Sequence, residues 1–456
     1  MFIILNAFIV FAIAVTGILV ATSVIADIVG KAARGGRNEN PNFKLRPKEK
    51  KRIMDYRIPF GGLKIGDTAR KYIDAALSKN WITEGNNVRL FEERFRQKFG
   101  WKHAIATSSG TDAGIVVWSA VRELLGRTPH TCLGDVSKNR GFTATPACAF
   151  VATTNCILAA GLEPLFVDVN LDNLNMDCGK LTQILSRADS IRYRCEGIQF
   201  VATMGKPAPV GQIAAIADEH NLWLIYDGCE AHGAMLITGP GDYHKNYFYA
   251  DHFCDAAIYS FYAAHLIVGG EGGIICTDDD ELADTCRSVK SHGRPSGSIY
   301  FDFQRPGFNS KWNEFCAAVA LESLERFDEN FSRRREVRQK LIEALSPMED
   351  KLILYRDGSD EIISPHAFPI VLRDESADIR PLYDHMDKAG IQVKTLFGSL
   401  PTDHEALKFL GFKKGNFPVA ERIGRTGLHL PCNEFMTDDD VTYIADRIRE
   451  FCQGIM

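Results

Sequence analysis

The sequence predicts an α/β fold, with a large domain built on a mostly parallel sheet with helices on both faces, followed by a smaller α+β domain. Three observations carry this. From His103 onward, short apolar runs recur without polar alternation (HAIATS, EPLFVDV, IQFVATMG, LWLIYDGC, DAAIYSFY, GGIICTDD), as strands buried on both faces do. Between them lie stretches with apolar residues at helical spacing, such as TDAGIVVWSAVRELLG and APVGQIAAIADEHN. After about Phe331 the texture changes to a charged helix and separate strand-like segments. A chain of 456 residues is long enough for two such domains and a substantial core.

In chain order, the first element is MFIILNAFIVFAIAVTGILVATSVIA, which runs from Met1 to Ala26 without a charge. As a helix it would span roughly 39 Å at ~1.5 Å per residue, beyond the ~30 Å hydrocarbon core of a bilayer. The expectation is a transmembrane anchor over residues 1–28. Lysines and arginines from Lys31 to Arg52 outnumber Glu39 and Glu49 on its carboxyl side, so the positive-inside rule keeps the rest of the chain cytoplasmic. A cleaved signal and a mis-assigned start codon are the alternatives, although a basic n-region is missing and the apolar run exceeds that of a typical signal peptide. Residues 29–55 are polar and basic and read as a linker. The large domain is expected over 56–330 and the small one over 331–456.

Bulk composition narrows the partners. A hydrophobic fraction of 45%, a charged fraction of 24% and a net charge of -5 leave no basic surplus for nucleic acid. The 12 cysteines, spread from Cys132 to Cys452, contain no CxxC pair and read as reduced thiols, with neither disulfides nor zinc implied.

Within the large domain, SSGTDAG (108–114) joins a strand to a helix, where free N–H groups and the positive end of the helix dipole suit a phosphate; alone, it reads first as a capped helix behind an ordinary turn. Asp227 ends the apolar strand in LIYDGCEAHGA, a costly place for an acid unless a cation or a hydrogen-bond network meets it. A protonated pyridine nitrogen is one such cation; capping the next turn is the structural alternative. Phe150, in the strand-to-loop stretch ATPACAFVATTN, offers a flat face for stacking, or a core side chain. Ser260 ends another strand in SFYAAHLIVGGEGG, and His265 follows it between small residues and a glycine-rich turn where nothing local needs an imidazole. RPGFNSKWNEFCAAVALESLERFDE supplies Asn309 in a loop and then a long amphipathic helix. In the small domain SRRREVRQKLIEAL and IRPLYDHMDKAG read as helices, HAFPIVL and IQVKTLF as strands. The last helix opens at TDDD, with Thr437 as cap and Asp440 in the capping-box position.

The ordered set SSGTDA, PACAFVATTN, FVDVN, YDGCEAHGA, SFYAAH with GEGG, and GFNSKWNEFCAAVALESLERFDE resembles the DegT/StrS-type sugar-nucleotide aminotransferases, pyridoxal-phosphate enzymes of fold type I, over roughly residues 56 to 450. The resemblance implies that Gly110, Thr111 and Ser260 hold the cofactor phosphate and that Phe150 stacks on the ring. It also implies that Asp227 pairs with the pyridine nitrogen, that Glu230 lies near the ring hydroxyl, and that Asn309 reaches the neighbouring subunit's phosphate in a homodimer.

One departure changes the expected chemistry. The family's SFxxxK lysine, which forms the Schiff base, is His265 here, and an imidazole makes no stable imine yet carries protons near neutrality. The same swap marks the family's 3-dehydratases, in which pyridoxamine phosphate condenses with a nucleotide-linked 4-keto-6-deoxyhexose and the histidine removes a proton while the 3-hydroxyl leaves. Cys229 matches one ligand of the iron-sulfur form, but SVKSHGRPSGSIYFDFQRPGF holds no cysteine, so no cluster is expected. The chain is closer to the cluster-free colitose-pathway type, which draws its amino group from glutamate. Ala263, Leu266 and Lys394 depart from the subgroup pattern, and Lys394 replaces an arginine of anion recognition. A sugar-nucleotide aminotransferase using a lysine from elsewhere in the chain and a catalytically silent, membrane-tethered nucleotide-sugar-binding homologue are the alternatives.

Overall fold

The six apolar runs expected as strands all enter one seven-stranded sheet. The computed structural model describes residues 56–126, 141–186, 195–238 and 246–454; the expected anchor and basic linker lie outside the described residues. Among the described residues no helix is long and apolar enough to cross a membrane. The strands of this part of the chain are β1 (His103–Thr107), β2 (Phe142–Pro146), β3 (Glu163–Val167), β4 (Cys195–Val201), β5 (Trp223–Asp227), β6 (Met235–Thr238), β7 (Asn246–Tyr249), β8 (Ala256–Ser260) and β9 (Gly273–Thr277). The large sheet runs β1-β9-β8-β5-β4-β2-β3. Every pairing is parallel except those of β9, which runs against both of its neighbours.

The absence of polar alternation has a direct cause. Leu224 and Tyr226 of β5, Ala257 and Tyr259 of β8, and Ile274 and Cys276 of β9 join one core, with Phe91 and Phe95 from the helix Asn86–Phe99. The intervening Ile225, Ile258 and Ile275 join another, with Val116, Val117 and Trp118 from the helix Gly110–Leu124. Successive strand residues point to opposite faces, and both faces are covered by helices.

The segment expected as one long amphipathic helix stops at Arg326: it forms Glu314–Glu325, and its last residues instead begin the helix Phe327–Leu345, which carries the separately expected charged stretch SRRREVRQKLIEAL. The first is not amphipathic: Ala317, Ala318, Val319, Ala320 and Leu321 are consecutive and buried, so the helix packs on several sides. Its two buried acids explain how this is tolerated. Glu314 accepts from the amides of Asn87 (2.9 Å) and Val88 (3.1 Å), and Glu322 from those of Gly66 (2.9 Å) and Ala69 (3.0 Å). Each caps another helix whose own N-cap is a glycine with no side chain to offer.

Beyond Leu345, the strands β10 (Leu352–Leu354), β11 (Glu361–Ile362), β12 (Phe368–Leu372), β13 (Lys394–Thr395) and β14 (Gly427–Leu430) follow. A four-stranded antiparallel sheet has the order β10-β12-β14-β13 and packs with residues of the helices Phe327–Leu345 and Asp438–Gly454. The last helix is capped as expected, Asp440 N–H donating to Thr437 Oγ1 and Thr437 N–H to Asp440 Oδ2. β11 instead joins β6 and β7 in a small sheet that the sequence pattern does not announce, because strands of two to four residues are too short to show a period. A third apolar cluster, including Phe60, Ala147 and Ala264 together with Tyr355, Leu396 and Ile423, bridges the large and the four-stranded sheets.

Candidate active site

Parallel sheets place loops from several strands at their carboxyl ends, and a cavity of about 540 Å³ lies there. Seven of the eight residues singled out from the sequence line it: Gly110, Thr111, Phe150, Asp227, Glu230, Ser260 and His265. Asn309 does not. It is exposed and makes an isolated bridge with Ser291.

One end of the cavity is the amino terminus of the helix Gly110–Leu124. Ser109 caps it by accepting from the amide of Asp112 at 3.0 Å, while the first-turn amides of Gly110 and Thr111 have no intrahelical acceptor. The backbone comes close here. A Cβ on residue 110 would lie 2.7 Å from the Cβ of Ser260, and one on Gly273 would lie 2.4 Å from the carbonyl oxygen of Ser109. This cradle combines free N–H donors, a helix dipole and a serine hydroxyl, the donor set of a phosphate ester.

Across the cavity floor, Asp227 is 5% exposed at the end of β5. Its Oδ2 accepts from Thr153 Oγ1 (2.8 Å) and Gln199 Nε2 (3.4 Å), and Gln199 is itself oriented because its Oε1 accepts from the indole of Trp118. Oδ1 receives the amide of Cys229 at 3.3 Å, and the Cys229 thiol also hydrogen-bonds this carboxylate. One carboxylate oxygen is therefore held by neutral donors and the other is left for a cation, as a protonated pyridine nitrogen would be. Phe150 is 58% exposed, with Phe397 tilted against it at 6.0 Å between ring centres, so it is a surface ring rather than a core side chain. Cradle, carboxylate and ring together fit a phosphate-bearing pyridine.

His265, 9% exposed, sits on the third side, and its Nδ1 lies 3.3 Å from Nδ1 of His366. Burial, with Arg334 and Lys394 nearby, brings His265 down to about 3, so the ring is neutral at physiological pH and available as a base. Burial raises Glu230 to about 7, against a bond from the amide of Met204 at 2.8 Å. Lys394 is the lysine among the lining residues; burial lowers its affinity for a proton, Glu230 raises it, and its Nζ stands 4.2 Å from the centre of the Phe60 ring.

Three participants escaped the sequence reading. His366 and His429 line the cavity, and Arg334, fully buried behind it, donates to the carbonyls of His265 (2.8 Å), Ala264 (3.2 Å) and Pro365 (3.4 Å) while pairing with Glu434 (2.8 Å). The signal for His366 was present: in HAFPIVL an imidazole precedes a buried strand, the same anomaly that drew attention to His265.

The family model described as the DegT/DnrJ/EryC1/StrS aminotransferase family matches residues 64–449. A dTDP-4-dehydro-2,6-dideoxy-D-glucose 3-dehydratase from Saccharopolyspora spinosa is 27% identical over 433 residues, covering 86% of this chain and 86% of its own. GDP-perosamine synthase from Escherichia coli O157:H7 is 25% identical over 384 residues, covering 84% of this chain and 95% of that protein. The crystal structure of a DegT DnrJ EryC1 StrS aminotransferase from Brucella abortus superimposes with a TM-score of 0.71 at 25% identity, covering 84% of this chain and 95% of that one.

Proposed function

We propose, from the premise that this chain belongs to the DegT/DnrJ/EryC1/StrS aminotransferase family of fold type I pyridoxal-phosphate enzymes, that its own reaction is loss of the 3-hydroxyl from a nucleotide-linked 4-keto-6-deoxyhexose. The observation that carries this reading is a neutral imidazole, His265, in the cavity that also holds Asp227 and the helix amino terminus. Pyridoxamine phosphate, when bound, supplies an amine for the sugar ketone and a ring that accepts electrons. The chain does the rest. Gly110, Thr111 and Ser260 would bind the phosphate, Phe150 would cover the ring face, and Asp227 Oδ1 would keep the pyridine nitrogen protonated. Glu230 would serve the ring hydroxyl, and His265 would take up the proton released as the hydroxyl departs.

Other parts of this reading rest on sequence and surface. Asn309 serves the partner subunit of a homodimer, which the exposure of Ile299, Tyr300 and Phe301 in the same loop region favours. No cluster takes part, since residues 288–308, where the iron-sulfur form carries its further ligands, hold no cysteine to accompany Cys229, and glutamate renews the amine. The fold divides near residue 330, and the uncharged N-terminal run tethers a cytoplasmic enzyme of deoxysugar and surface-polysaccharide synthesis to the membrane.

Lys394 favours one competing reading, transamination with this amine in place of the missing one, because it is the lysine that lines the cavity and burial eases its deprotonation. Two measurements separate them. Purified protein incubated with pyridoxamine phosphate and GDP-, CDP- or dTDP-4-keto-6-deoxyhexoses should yield product lighter by one water in mass spectrometry. Borohydride treatment of the pyridoxal-phosphate-loaded protein should leave every lysine unmodified; a pyridoxyl group on Lys394 would overturn the dehydratase assignment.

A further inference from the structure

His265 and His366 meet through like atoms, Nδ1 to Nδ1 at 3.3 Å, and the other nitrogen of His366, Nε2, faces Glu230 Oε1 at 3.8 Å. Two bare nitrogens repel, as do two N–H groups, so one Nδ1 of the pair carries hydrogen and the other does not. We propose that Glu230 decides which: acting through His366, it sets the tautomer of His265 and is the terminal acceptor of the proton that His265 removes. The second half of this statement rests on the proposed reaction; the first stands without it.

With Glu230 ionised, His366 turns Nε2–H to the carboxylate and leaves Nδ1 bare. His265 then donates Nδ1–H to it, and its Nε2 lone pair is free. With Glu230 protonated, the O–H donates to His366 Nε2, His366 donates Nδ1–H to His265, and hydrogen stays on His265 Nε2. One proton relay connects the two states. A C–H bond breaks and N–H forms at His265 Nε2; the Nδ1 proton of His265 passes to His366 Nδ1; the Nε2 proton of His366 passes to the carboxylate. The C–H electron pair stays with the cofactor, both rings end neutral, and Glu230 ends as the acid. At 3.8 Å the carboxylate already favours Nε2–H on His366 electrostatically in the free protein, while proton transfer across this gap, longer than a hydrogen bond, needs it to close in the complex.

The surroundings favour this resting place for the proton. Burial, with Arg334 and Lys394, holds both rings neutral, His366 having His265 and His429 as further positive neighbours when those are charged. Glu230 meets the Met204 amide, Asp227 and Lys394, and burial dominates, holding it near about 7. Met204 adopts φ 56°, a costly left-handed conformation for a non-glycine residue, and its amide donates to Glu230 at 2.8 Å. Arg334 binds the carbonyls of both His265 and Pro365, keeping the two imidazole-bearing loops in register.

The test is nitrogen NMR of the full-length protein labelled in histidine, without substrate. His265 should change from the Nδ1–H to the Nε2–H tautomer as pH falls through about 7, and Glu230→Gln and His366→Phe should each abolish that change. A His265 tautomer that ignores pH in the unsubstituted protein, or a transition that persists in Glu230→Gln, would overturn the coupling; the unsubstituted titration decides it even where a variant misfolds. In turnover, Glu230→Gln should lower kcat about 10-fold or more with KM little changed. Tautomer coupling without dehydration would remove the assigned reaction alone, and dehydration with a fixed tautomer would remove the coupling alone.

Discussion

Two buried aspartates at the carboxyl ends of β3 and β5, parallel strands of one sheet, look alike in sequence, in FVDVN and LIYDGC, and are 4% and 5% exposed. Their partners separate them. Asp168 is saturated: it accepts from its own neighbour's amide at Val169 (2.9 Å), from the amides of Val419 (3.2 Å) and Ala420 (2.9 Å) at the start of a helix, and from Lys180 Nζ (2.9 Å). Asp227 has two neutral donors on one oxygen and a long amide contact on the other. A buried acid whose acceptors are filled is structural, and one left partly empty is prepared for a ligand.

That contrast can be tested from its strongest consequence downward. His265→Ala, which removes the base beside the underfilled aspartate, should lower dehydration about 10²- to 10⁴-fold in a steady-state assay while melting is nearly unchanged. His265→Lys should instead gain a borohydride-reducible attachment to the cofactor. Asp168→Ala should do the opposite of His265→Ala, costing about 3–5 kcal/mol in chemical denaturation because Lys180 and a helix terminus lose their anion, with kcat of the folded fraction preserved. Next is Glu230. Its carboxyl binds a proton more tightly folded (about 7) than unfolded (4.5), so stability should decline by about 3 kcal/mol as pH rises through that window, and Glu230→Gln should flatten the profile. The smallest effect is expected for Asp227→Ala, which should weaken cofactor binding about 10- to 100-fold by absorbance titration and leave the free protein close to its original stability. A stability loss at Asp227 equal to that at Asp168 would erase the distinction.

The sheet was legible because its strands are buried on both faces: β5 sends Leu224 and Tyr226 one way and Ile225 the other, and such runs are hard to mistake once helical segments separate them. The cavity was legible as an ordered series of strand ends, from the turn at Gly110 to Asp227, Ser260 and His265. What escaped depends on partners distant in sequence. Nothing in AAVALESL announces that Glu314 and Glu322 cap two other helices, so their helix was read as amphipathic. His366 and Arg334 reach the site only because β12 and the helix Phe327–Leu345 pack behind it. Asn309 was chosen with the cavity residues, yet within one chain it stands apart from them.

The reversed strand β9 begins at Gly273, where any side chain would collide with the Ser109 carbonyl, and Gly272 before it lies so close to Trp312 that an added Cβ would approach the indole within 2.5 Å. Gly272 also has φ 146°, outside the comfortable range of L residues. Mutational drift at these two positions is consequently closed off from both sides, by the indole and by the anion turn. A randomised library spanning residues 272 and 273, selected for coenzyme retention, should return glycine at both.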